Sequence, residues 1–125
     1  MGYAPSVQTA ALIFVALVAI EHIWFAILEM VLWTKPIGLK TFGKGEAFAK
    51  ETASLAANQG LYNLFLVAGL VWSVVAAEPQ ARTLKIFFLA CVVVAGIFGG
   101  ITVGKRIAYI QATPAAIGLA LVLFA

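Results

Sequence analysis

The chain has 125 residues, 64% of them hydrophobic and 10% charged, with a mean hydropathy of +1.08. A soluble domain is nearer about 45–50% apolar and ~25% charged, so the composition excludes a soluble fold and predicts one integral membrane domain over residues 1–125. The net charge of +3 sits beside apolar runs, which speaks for membrane topology and against nucleic acid, and Cys91 alone excludes an internal disulfide or a cysteine metal site.

The apolar runs are continuous and do not alternate with period two. That predicts an all-α four-helix bundle in the membrane rather than a barrel. The first span covers residues 7–33, ~40 Å at 1.5 Å per residue, with Pro5 just before it and Trp33 at the far interface. No signal peptide is read here: no basic region precedes the run, and Glu21 and His22 interrupt it. The start M-G-x-x-x-S formally matches a myristoylation pattern, but four spans anchor the chain without it. Residues 34–45, T-K-P-I-G-L-K-T-F-G-K-G, read as a loop. The second span covers residues 46–77 and opens with amphipathic turns, Glu46 and Lys50 at i,i+4, that project from the membrane. E-P-Q-A-R, residues 78–82, is a tight connection. The third span, residues 83–104, carries Gly96, Gly100 and Gly104 four apart. Such a small-residue face is a packing face and predicts a homo-oligomer. The fourth span, residues 107–125, carries Pro114 near its first third, which kinks it or marks its true start.

Orientation follows from counting. Lys35, Lys40, Lys44, Lys50, Lys105 and Arg106 fall on one side, Arg82 and Lys85 on the other. The positive-inside rule places the first group in the cytoplasm and both termini on the non-cytoplasmic side. The expected home is a bacterial inner membrane.

Ionisable groups within a span cost roughly 2.5–3.5 kcal/mol each, so they point to function. Glu21, His22 and Glu29 lie in the first span, and His22 and Glu29, seven apart, share nearly one helical face. Asn58, Gln59, Tyr62 and Asn63 lie at overlapping depth in the second span, and Gln111 begins the fourth. Antiparallel neighbours would bring these residues together, predicting one polar pocket open to the cytoplasm. Glu29 is the candidate general base and His22 the candidate proton relay. Glu21, Asn58, Gln59, Tyr62, Asn63 and Gln111 are the candidate ligand-binding residues. With one histidine the ligand set for a metal is incomplete, and no cofactor is assigned. The same polar residues would also serve as hydrogen-bonded glue between spans, and Cys91 reads as a small packing residue.

The motif H-x-x-F-x-x-L-E-M-x-x-W, here His22, Phe25, Leu28, Glu29, Met30 and Trp33, is followed by N-Q-G-x-Y-N at residues 58–63. Together they resemble a family of small bacterial four-span membrane proteins known as a domain of unknown function. Glu21 falls outside the motif. The resemblance implies the architecture and this choice of residues, and no activity. A weaker similarity, in span order and in the protruding second helix, is to the membrane-associated eicosanoid and glutathione metabolism proteins, which form trimers. Their arginine-rich glutathione site has no counterpart among Arg82 and Arg106.

Three functions remain open at this point. One is binding of a small amphipathic or lipophilic molecule, with acid–base chemistry by Glu29 and His22. The second is a small proton- or cation-coupled transporter or channel component. The third is an accessory subunit of a larger membrane complex.

Overall fold

The computed structural model describes residues 6–125; Pro5 and the Met-Gly start lie outside them. Every long element described is a helix: α1 (Val7–Met30), α2 (Pro36–Phe42), α3 (Glu46–Val75), α4 (Gln80–Thr102), then a short α5 (Lys105–Ile107), a π-helical segment (Ala108–Ala112) and α6 (Thr113–Phe124). Four stretches are long and apolar enough to cross a membrane: α1, α3, α4 and Lys105–Phe124. Large apolar side chains such as Ile20, Leu55 and Ile101 point outward along them, as hydrocarbon surroundings allow. The all-α, four-span class is thus what the chain adopts.

The chain forms two compact units. One is Ile20–Val67; the other is Met1–Ala19 together with Ala68–Ala125.

In the first unit, α1 ends at Met30, three residues before the expected limit. Pro36 disfavours helix at the residue before it, and Lys35 is extended (φ −87°, ψ 162°). The chain then turns into α2, a helix where the composition of residues 34–45 predicts a loop. Pro36 at the first turn and Gly43 in the left-handed C′ position (φ 64°) bracket this helix, each where its backbone suits a helix end. The N–H of Gly43 caps it by donating to the Leu39 carbonyl. A side chain at Gly38 would run into the Leu32 carbonyl, so only glycine lets α2 fold back on that turn. Trp33 fastens the corner: its ring lies 4.8 Å from that of Phe42, and its indole N–H donates to Thr52 Oγ1 at 3.1 Å. Thirty residues of α3 span ~45 Å. That exceeds a hydrocarbon core of about 30 Å. Its first turn carries the Lys50–Glu46 ion pair at 3.2 Å, an exposed pair of small energetic weight.

In the second unit, Ser6 caps α1 by accepting from the Thr9 N–H at 3.1 Å. Val15, Val18, Leu70, Leu89, Val92 and Ala115 are buried there. Helix α4 starts at Gln80, earlier than expected, and the Arg82 N–H donates to Glu78 Oε2 at 3.3 Å in its first turn. Two cations meet the carbonyls of helix ends: Lys85 Nζ donates to the Ser73 carbonyl at 2.8 Å, and Arg82 Nη2 to that of Leu123 at 3.3 Å.

The glycine face expected on α4 packs within the chain. A Cβ at Gly96 would lie 2.6 Å from the Ala112 nitrogen, and one at Gly100 2.6 Å from Ala108 Cβ. The face is therefore filled by the fourth span and is not an open oligomer surface. Gly104 is a correction: it lies beyond the end of α4, at an extended φ of 174°, with nothing within 4 Å of an added Cβ. Its regular spacing continues past Thr102, where the helix ends. Pro114 distorts the fourth span as expected. The distortion is the widened π turn just before it, which accommodates the missing proline N–H.

Candidate functional site

The polar residues of the first unit sit on α1 and α3, and small residues set how close the two helices come. Ala49, Ala56 and Gly60 are buried on one face of α3. A side chain at Gly60 would collide with Met30 and lie 3.3 Å from the Ala26 carbonyl. Asn63 is three residues beyond Gly60, and Glu29 three beyond Ala26. The close approach therefore brings Asn63 within reach of Glu29, and Asn63 Nδ2 donates to Glu29 Oε1 at 2.5 Å. Asn63 is 6% exposed and Glu29 half-buried. The sequence reading named both residues. It missed Ala56 and Gly60, whose i,i+4 spacing is the same small-xxx-small signal it credited to α4.

His22 is completely buried, its ring edge-on to Phe25 at 5.3 Å between centroids. Its neighbour Glu21 is half-buried. Glu21 Oε1 is buried without a hydrogen-bond partner among the described residues. A lone carboxyl oxygen of this kind in an apolar span is costly.

The remaining candidates do not join this group. Asn58, Gln59 and Tyr62 are on the exposed surface of α3, with the Tyr62 ring edge-on to Phe65. At 100° per residue Asn63 is about 140° round the helix from Asn58, so the single pocket read from depth divides into an inward pair and an outward patch. Gln111 lies in the π segment and belongs to the other unit. Among the described residues no three of His, Cys, Asp or Glu come together as metal ligands. An open groove on α4 is lined by Phe87, Cys91, Val94 and Phe98 among others.

Fold and site together define a multi-pass α-helical membrane protein with a carboxyl–amide pair inside its spans. The chain belongs to the family described as protein of unknown function DUF1304, whose model matches residues 16–123. Both sequence motifs fall within that match. No curated protein and no solved structure matches the chain.

Proposed function

We propose that this is a membrane-embedded binding protein for a small amphipathic or lipophilic molecule carrying a hydrogen-bond donor. Glu29 receives the donor. Asn63 holds the Glu29 carboxyl in place, and the observation that carries the reading is this bond between two spans. An aimed carboxyl at this depth is costly to insert, by about 2.5–3.5 kcal/mol, and is a functional group by default. His22, two turns along α1, and the unpartnered Oε1 of Glu21 supply further polar positions. Proton exchange between such a molecule and Glu29 or His22 is the chemistry these residues support. The side carrying Lys35, Lys40, Lys44, Lys50, Lys105 and Arg106 faces the cytoplasm in this reading, in a bacterial inner membrane.

Native mass spectrometry of the chain released from its own membrane tests the proposal. A retained small molecule, lost in Glu29→Gln and in His22→Ala, is the expected result. A wild-type chain that carries only bulk phospholipid refutes it. One observation favours a second reading, a proton or cation path: Glu21, His22 and Glu29 are successive polar stations on α1, and one oxygen of Glu21 is unpartnered. Glu29-dependent pH change inside proteoliposomes would distinguish it.

A further inference from the structure

The corner between α1 and α3 carries charge that the fold leaves unmatched. From Met30 to Gly45 the chain has Lys35, Lys40 and Lys44 and no acid. Followed on to Thr52, four lysines stand against Glu46 and Glu51, a net charge of +2. Glu46 is taken up by Lys50 at 3.2 Å. Among the described residues no carboxylate pairs with Lys35, Lys40 or Lys44, and all three are exposed.

The same corner shows apolar surface. Ile37 is 46% exposed, Phe42 36% and Phe48 46%. Lys44 Nζ lies 5.4 Å from the centre of the Phe48 ring, so cation and ring lie side by side. Three contacts hold α2 at the level of Trp33: Gly38 against the Leu32 carbonyl, the Phe42 ring against the indole, and the indole N–H on Thr52. A tryptophan at the end of a span sits in the headgroup layer. Water does not suit Ile37 and Phe42, and hydrocarbon does not suit the ammonium groups. The layer between them suits both. In that layer the counter-charge on offer to an ammonium is lipid phosphate. A zwitterionic headgroup neutralises its own phosphate. An anionic one keeps a net negative charge, and its attraction amounts to roughly fivefold in binding per nearby lysine.

We infer that α2 and the lysines around it form a docking site for the headgroup of an anionic phospholipid, with Lys35, Lys40 and Lys44 supplying the cations that hold its phosphate. Each ammonium brings three donors and no acceptor, which matches phosphate oxygens. Ile37 and Phe42 lie against the upper part of the acyl chains. Pro36 and Gly43 fix the two ends of α2, so the lysines are set around a folded element. The inference is independent of what Glu29 binds and of which way the chain crosses the bilayer.

Quenching of Trp33 by brominated lipid tests it, because bromine on an acyl chain quenches only a nearby indole. Trp24 and Trp72 are both exposed, and Trp24→Phe with Trp72→Phe leaves Trp33 as the sole reporter in the full chain. The chain is placed in vesicles that mix phosphatidylglycerol and phosphatidylcholine, with the bromine first on one lipid and then on the other. The expected result is a several-fold preference of the Trp33 site for phosphatidylglycerol. Lys35→Gln, Lys40→Gln and Lys44→Gln together should abolish it, and arginine at the same three positions should retain it. Raising salt from 0.1 to 1 M shortens the screening length from about 10 to ~3 Å and should weaken it. Four results overturn the inference: equal quenching by the two lipids, a preference that survives the three glutamines, its loss in the arginine variant as well, or its removal by inorganic phosphate where chloride at equal ionic strength has no such effect, which would assign the lysines to a free anion.

Discussion

Replacing Asn63 by leucine isolates the bond at the centre of the site. The substitution keeps the side chain's approximate size and removes the donor to Glu29 Oε1. Hydrogen bonds between membrane helices contribute about 0.6 kcal/mol on average and ~1.7 at most. Leaving the other partner buried and unsatisfied adds roughly 1–3 kcal/mol. Asn63→Leu should therefore destabilise the chain by about 1.6–4.7 kcal/mol. Glu29→Leu should cost less, because it also removes a carboxyl whose insertion is itself unfavourable by ~2.5–3.5 kcal/mol. The double variant leaves neither group unpaired and should be less destabilised than the sum of the two. The coupling expected is about 0.6–1.7 kcal/mol, roughly 3- to 18-fold in the unfolding equilibrium. Reversible unfolding in bicelles, measured for all four chains, gives the cycle. Values that add to within about 0.3–0.5 kcal/mol would refute the bond and with it the argument that Asn63 positions Glu29.

Further substitutions probe the parts around that bond. Glu29→Gln retains a carbonyl oxygen for Asn63 to donate to, so stability should change by less than about 1 kcal/mol while ligand retention is lost; the same unfolding and mass measurements report both. Gly96→Leu forces a side chain against the Ala112 backbone and should destabilise by roughly 1–3 kcal/mol or more, whereas Gly104→Ala should stay within about 0.5 kcal/mol; equal effects would contradict the hairpin. Trp33→Phe removes the donor to Thr52 and should cost about 0.5–1.5 kcal/mol, read as earlier unfolding in the same assay. A cysteine replacing Gly43, in a Cys91→Ala background, should react with an impermeant maleimide only after cell lysis; labelling of intact cells would reverse the proposed orientation.

The spans were legible because their signal is redundant: an apolar run of some twenty residues survives an error of two or three at either end. Helix α2 was hidden by its punctuation. Pro36 and Gly43 read as loop residues until their separation, one short helix apart, is recognised as a start and a stop. Gly104 shows the opposite failure, a periodic pattern extended past the turn that ended its helix. Depth along a helix can be counted from one sequence, but it sets only the overlap of the two polar groups and does not by itself pair Asn63 with Glu29. Azimuth against a neighbour cannot be counted before the contact face is known. That face is set by Ala56 and Gly60, and it turns Asn63 inward and Asn58, Gln59 and Tyr62 outward.

Arg82 and Lys85 illustrate how folding and membrane insertion bear on the same charges. Each gives hydrogens to carbonyls at the end of a helix, Leu123 and Ser73, where the peptide dipoles leave partial negative charge. In the proposed orientation these two are the cations that cross the bilayer. Once across, they find counter-charge waiting in the backbone itself. The lysines that stay behind, Lys35, Lys40 and Lys44, are exposed and face water and headgroups. Arg82 and Lys85 then act as latches: they hold the far ends of α3 and α6 once the spans have passed through.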